Sequence, residues 1–307
     1  MLSVKLTMRA VSKCIVLLCA AVAATSGFNL GPQDVVLHLF NRANVGTQSQ
    51  PFFPTMASIL DTDFDPAART VITIHDAKDG VAGNFNAFVV NAELAVADVN
   101  VVAIDWSRGA ASYTEGVAYA TQVGEVVASF INLLESNLGY GAENIRIVGF
   151  GLGGHIAGIA ARQARATIPH IIALDPSLVG WTHHPNKLSA DAAGVVEVLH
   201  TTAGILGYDQ PLGDLDFYPS GGSFQVPCAS DSNCSHLYAY IFYDESLRSE
   251  IAGGAKFVGT KCASYEEAIE FMCTGEKDAV FGGSEVKTEA SGIYIFSTNS
   301  QAPFARG

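Results

Sequence analysis

Residues 144–160, NIRIVGFGLGGHIAGIA, constrain the fold more than any other stretch. Ile145, Ile147 and Val148 make a short apolar run of strand type. Gly149, Gly151, Gly153 and Gly154 follow, and an Ala- and Ile-rich segment of helical character continues to Arg165. A strand turning sharply through glycine into a helix gathers backbone N–H groups and a positive dipole end at one point. Gly149-x-Gly151-x-x-Gly154 fits the dinucleotide fingerprint G-x-G-x-x-G, with Asp175 ending the next apolar run. Gly149-x-Gly151-x-Gly153 equally fits the spacing of a nucleophile elbow, G-x-S-x-G, with glycine at the nucleophile position. A tight turn without chemistry is the third reading.

The remaining strands fix the architecture. Val35 to Phe40 reads as a strand and is followed by a polar, proline-bounded loop to about Pro54. Val71 to His75 and Val99 to Asp105 are further strands, the latter continuously apolar as a buried parallel strand should be. From Glu115 to Glu135, Val123, Val126, Val127, Phe130 and Leu134 keep helical spacing. IIALD (171–175) and GVVEVLH (194–200) follow the elbow helix. Strands alternating with helices imply an α/β fold, a doubly wound and mainly parallel sheet. Sites in such sheets lie beyond the carboxyl ends of the strands, an edge that His75, Asp105, Gly151 and Asp175 share.

The N-terminus has a basic region (Lys5, Arg9, Lys13), an apolar core from about Cys14 to Ala24, and small residues between Ala23 and Gly27. This pattern predicts a signal peptide over 1–26, too short for a transmembrane span, and hence an extracellular protein. Cys14 and Cys19 leave with it. Cys228, Cys234, Cys262 and Cys273 remain, an even number in an oxidising compartment; 228/234 and 262/273 are close in sequence, and three connectivities are formally possible. A nicotinamide cofactor is scarce outside cells, which weakens the dinucleotide reading. Loss of the basic leader turns a formal charge of −13 into −16, from 14 Lys+Arg against 30 Asp+Glu. Such a surface disfavours nucleic acid and anionic membranes. With 49% hydrophobic residues and no linker or repeat, residues 27–307 read as one domain.

Several stretches resemble the pancreatic lipase family: DWSRGA at 105–110, ALDP at 173–176, LHTTAGILGYDQPLGDLDFYPSGG at 199–222, CSH at 234–236 and TNSQAPFARG at the end. The resemblance runs from about residue 34 to 307 and is closest to secreted members of the insect type. It implies the α/β-hydrolase fold without the C-terminal β-sandwich of larger members. It also implies a triad in which Asp175 is the acid and His236 the base, while Gly151 stands at the nucleophile. The oxyanion-hole region falls on Asp76, Ala77 and Leu152. Cys228–Cys234 becomes the lid disulfide and Cys262–Cys273 the second; no metal and no cofactor are implied.

Departures cluster on that site. Glycine has no hydroxyl for His236 to deprotonate. The family's H-G-[FW] stretch is His75-Asp76-Ala77 here, and a carboxylate pointing inward from Asp76 would oppose a developing oxyanion. Phe150 replaces the histidine of G-H-S, and Ser177-Leu178-Val179 replaces A-G-P. The five residues of the lid loop cannot form an amphipathic interfacial helix. The expected function is therefore a catalytically impaired lipase homologue that binds a lipid or other apolar ligand, or serves as a storage protein. Fly yolk proteins are similar in lacking the nucleophile. The alternative is an active lipase or phospholipase with an unconventional nucleophile, Ser107 and Ser177 being nearest in sequence. Dinucleotide binding comes third.

Overall fold

The computed structural model describes residues 30–44 and 48–307; the signal-peptide reading of 1–26 lies outside them. Its centre is a parallel array in which each strand is buried on both faces. β3 (Arg69–Ile74), β4 (Val99–Asp105), β5 (Ile145–Phe150), β6 (His170–Leu174), β7 (Val195–Leu199), β8 (Leu215–Pro219) and β11 (Gly292–Phe296) all run the same way. Their near-continuous Val/Ile/Leu content follows from helices covering both sides. Antiparallel strands close the edges: β1 (Val36–Phe40) and β2 (Gln50–Phe52) beside β4, β9 (Phe257–Cys262) and β10 (Ala279–Phe281) beside β11. The order is β10-β9-β11-β8-β7-β6-β5-β3-β4-β1-β2.

Two helical layers sandwich the sheet. On one face lie α3 (Tyr113–Leu138) and α4 (Leu152–Gln163), whose Val123, Val127, Phe130, Leu134 and Ile156 meet Ile72, Ile147 and Ile171. α3 is long and apolar enough to cross a membrane, and here its apolar residues fill this core. On the other face are α2 (Asn84–Val96) and α5 (Ser232–Ala252), with Phe85, Val89, Tyr240 and Tyr243 against Val71, Val148 and Ile172. Short helices α1 (Met56–Leu60) and α6 (Tyr265–Ile269) sit in the edge connections. The architecture is the α/β-hydrolase arrangement.

Two features differ from the sequence reading or escape it, and the disulfides agree with it. The loop expected up to Pro54 contains β2, which tolerates Pro51 because the outermost strand has a face with no ladder bond to lose. α2 and α5 had no reading at all. α5 buries Ser235, Ser246 and Ser249 along with Phe242 and Leu247, so no clean apolar stripe marks it. The cysteines take the local pairing, Cys228–Cys234 with Cα atoms 5.6 Å apart and Cys262–Cys273 with Cα atoms 4.5 Å apart.

Chain order places the site. From β3 the chain moves outward to β4, then crosses back through α3 to β5 on the opposite side of β3. The crevice at such a reversal lies between the carboxyl ends of β3 and β5. His75-Asp76-Ala77 leaves one of these ends and Gly151 the other.

Candidate functional site

The turn after β5 is built by glycines that admit no side chain. A Cβ on Gly149 would overlap the Gly153 carbonyl, and one on Gly153 would overlap the Ile74 carbonyl. Gly151 itself has φ 55° and ψ −116°, and its N–H donates to Leu174 O at 3.0 Å. A non-glycine residue held there stores strain. A Cβ on Gly151 would also lie within 2.6 Å of all three carboxyl atoms of Asp76.

Asp76 arrives there because its neighbour is anchored. His75 is fully buried and stacks on Trp106 with ring centroids 5.3 Å apart. Its Nδ1 donates to Asp76 O at 2.7 Å, while Trp106 N–H donates to its Nε2 at 3.2 Å and Trp106 Nε1 to its carbonyl at 3.0 Å. The Asp76 side chain thus turns into the crevice. Its Oδ1 accepts the Leu152 N–H at 2.7 Å, the first free amide of α4, where the helix dipole favours an anion. Its Oδ2 accepts from His236 Nε2 at 3.2 Å. Ala77 is half-buried against the core, and Lys78 N–H donates to Ala110 O at 2.7 Å.

His236 comes from the first turns of α5. Asp231 caps that helix by accepting the Cys234 N–H at 3.1 Å, and Cys228–Cys234 ties the preceding loop to it. His236 Nδ1 donates to Asp175 Oδ2 at 2.6 Å. Phe150, the residue in place of the family's histidine, stacks on the imidazole at 4.3 Å.

Asp175 follows β6 with φ 45° and is completely buried. The stretch from 199 to 222 is its cradle. Thr201 and Thr202 N–H donate to Oδ1 at 2.8 and 2.9 Å, and the Thr202 hydroxyl donates to Oδ2. His200 holds that cradle in turn, donating from Nε2 to Asp216 Oδ1 and from Nδ1 to Tyr208 O, both at 2.8 Å. Thr201, Thr202 and His200 are site-forming residues that sequence reasoning saw only as part of a resemblance.

The electrostatics follow from this geometry. Burial disfavours a charged His236, but hydrogen bonds to Asp175 and Asp76 and their negative charges outweigh it, so the imidazole is pushed up to about 10. Burial alone would raise Asp175, whereas the His236 and Thr202 bonds hold it below its ordinary value. His236 is therefore an imidazolium with both N–H groups committed to carboxylates. A ring protonated at both nitrogens has no lone pair with which to act as a base.

The two alternative serines are not brought to it. Ser177 is buried and its N–H donates to Gly151 O at 3.3 Å; Ser107 is exposed beside Asp105. Neither is a hydrogen-bond partner of His236. The acidic residue of the dinucleotide reading, Asp175, is enclosed and its oxygens are taken. His155 is buried and neutral: burial is the main cause that lowers it to about 3. It donates from Nε2 to Ser177 O at 2.7 Å and accepts Leu188 N–H at 3.1 Å, pinning the loop after Asp175 to α4.

The family described as Lipase matches residues 28–304 of the chain. Pancreatic lipase-related protein 2 of Bos taurus is 30% identical over 275 residues, covering 80% of this chain and 58% of that protein. Pancreatic triacylglycerol lipase of Mus musculus is 30% identical over 236 residues, covering 68% and 50%. Lipoprotein lipase of Homo sapiens is 29% identical over 279 residues, covering 80% and 58%. The chain thus spans between 50 and 58% of the length of these relatives. With the match extending over nearly all of its described residues, the chain belongs to the Lipase family.

Proposed function

We propose that this chain is a secreted lipase-family protein without ester hydrolase activity, which uses the retained crevice to bind a lipid or similar apolar ligand. One observation carries the reading: the Asp76 carboxylate fills the space a side chain at position 151 would need, and it occupies the Leu152 N–H. Serine hydrolysis needs a hydroxyl, a neutral base and a free oxyanion donor. Here the first is missing, the second is protonated and the third is taken. The two disulfides support an extracellular location, where such bonds persist, and agree with residues 1–26 serving as a signal peptide ahead of a single lipase-like domain. Storage, as in the yolk-protein comparison, is compatible with the same site because it needs no chemistry.

The test is hydrolysis of short-chain and phospholipid esters by the purified protein. The expected rate is background, since loss of the nucleophile in a serine hydrolase lowers turnover about 10⁶-fold. Robust hydrolysis that His236→Ala abolishes would overturn the proposal and point to an unconventional nucleophile.

A further inference from the structure

A second cavity, of about 540 Å³, lies at the carboxyl end of β11 and the start of β9, with β8, β7 and β6 standing between β11 and the crevice. That volume is in the range of small-molecule sites. The chain as a whole has 30 acidic residues against 17 basic ones, yet Lys256, Lys277 and Arg306 all line this cavity and no acidic side chain does. With the carboxylate of Gly307 counted against the three cations, the lining keeps a net charge of +2. None of the three cations forms an ion pair or a side-chain hydrogen bond with another described residue.

Long-range bonds bring these cations to one place. Phe304 and Ala305 N–H donate to the Glu245 carboxylate at 2.8 and 2.6 Å, which ties the last residues to α5. Gly307 N–H then donates to Lys256 O at 3.1 Å, setting Arg306 beside the start of β9. Lys261 N–H donates to Glu276 O at 2.9 Å and Gly275 N–H to Lys261 O at 3.0 Å, so the segment that carries Lys277 runs along β9. Phe271 forms a wall of the cavity. Cys262–Cys273 closes the loop that holds it, and its ring lies 2.9 Å from where a Cβ on Gly221 would be, so only glycine leaves room for it. The ring keeps 61% of its surface exposed.

We propose that this cavity binds a phosphate monoester group. Such a group carries about two negative charges near neutral pH and offers three strong acceptor oxygens. It therefore matches both the net charge of the lining and the number of its cations, and the Arg306 guanidinium can hold two of those oxygens at once. Thr260 and Ser297 add hydroxyl donors to the same lining. A carboxylate brings a single charge and two oxygens, and leaves part of the positive charge unmatched. The cavity is larger than the phosphate itself, and the exposed face of Phe271 is open to the organic part that bears it. This site stands apart from the crevice and does not depend on the ligand-binding reading above.

The experiment titrates the purified full chain with phenyl phosphate by calorimetry, beside phenylacetate as a carboxylate of similar shape. A sedimentation arm uses phosphatidylcholine vesicles with and without phosphatidate, which separates a lipid headgroup from a free organic phosphate. Lys277→Gln and Arg306→Gln are compared with wild type and with Arg108→Gln, which removes an exposed charge beyond β4, on the opposite half of the sheet. Wild type should bind phenyl phosphate saturably and more tightly than phenylacetate, and added salt should weaken binding. Each cavity substitution should weaken it about fivefold, the scale of one partly exposed charge-assisted hydrogen bond, and Arg108→Gln should not. Binding to phosphatidate vesicles alone, lost in the same two variants, would support the site and assign the phosphate to a lipid. Phenylacetate binding as tightly as phenyl phosphate, binding in either arm that survives Lys277→Gln and Arg306→Gln, or no binding in both arms would overturn the inference, and each of these results leaves the reading of the crevice where it stood.

Discussion

A side chain begun at Gly151 would run into the carboxylate of Asp76, all three of whose carboxyl atoms lie within 2.6 Å of that Cβ position. The two residues are 75 positions apart, and each makes sense only with the other. Glycine leaves room for the carboxylate, and the carboxylate takes the amide and imidazole bonds that the room exposes.

Restoring the hydroxyl alone should therefore fail. Gly151→Ser must displace Asp76 from Leu152 and His236 and hold a non-glycine residue at φ 55°. Strain and the lost charge-assisted bonds together predict a loss of about 2–4 kcal/mol. Chemical denaturation should show that loss, and ester hydrolysis should stay at background. A Gly151→Ser protein as stable as wild type would show that Asp76 does not fill this space.

Removing the obstruction at the same time should behave differently. Asp76→Gly with Gly151→Ser vacates the carboxylate position, frees the Leu152 N–H and leaves His236 paired with Asp175 alone. Its pKa should then fall toward the ordinary imidazole range, making a neutral base available. Ester hydrolysis should rise measurably above that of either single variant, and Ala77→Phe added to the pair should raise it further. Equal rates in single and combined variants would rule out Asp76 as the obstruction.

Stability should depend on pH in a defined sense. The His236 pKa is raised on folding, so its contribution is complete below the unfolded value near 6.5 and is lost as pH rises toward about 10. Asp175 is lowered, so its contribution is complete above the unfolded value near 3.8 and is lost as pH falls below it. Denaturation midpoints should be highest near pH 6.5, declining on the alkaline side as His236 gives up its proton and on the acid side because His155 is held neutral by burial, lowered to about 3, with Asp175 adding to the decline at lower pH. Asp76→Ala should flatten the alkaline decline specifically, because Asp76 is one of the two carboxylates that hold the proton.

The two disulfides should separate stability from site integrity. Their sequence separations of 6 and 11 residues predict about 2–3 kcal/mol each from loop closure. Cys228–Cys234 also anchors the first turn of α5, which carries His236. Replacing that pair by serine should weaken ligand binding beyond its effect on stability, whereas replacing Cys262 and Cys273 should lower stability with binding largely kept. Calorimetry of binding beside denaturation distinguishes the two.

Much of the architecture was legible because parallel strands buried on both faces advertise themselves as continuous apolar runs: VNVVAID is β4 residue for residue, and the glycine-rich turn sits at the end of β5. α2 and α5 were not legible, since buried polar residues such as Asn86, Glu93 and Ser246 interrupt any apolar stripe. Glu93 is buried because it pairs with Arg146 and accepts from Tyr243, a long-range arrangement that no local period encodes. At the site, the missing hydroxyl and the unusual Asp76 could each be read from the sequence. That they occupy one another's space could not, because it depends on the reversal of strand order between β3 and β5. The stack of Phe150 on His236 was likewise visible only as a departure.

The protonation state of His236 tests the central assignment most directly. Heteronuclear NMR of the ring nitrogens, followed from pH 5 to 11, should show an imidazolium that persists past pH 9 and titrates near 10, with both ring protons slowed in exchange by their carboxylate partners. In Asp76→Ala the same signals should titrate at lower pH. A wild-type imidazole that becomes neutral near 6.5 would mean that Asp76 does not hold it, and the site would again be open to base chemistry.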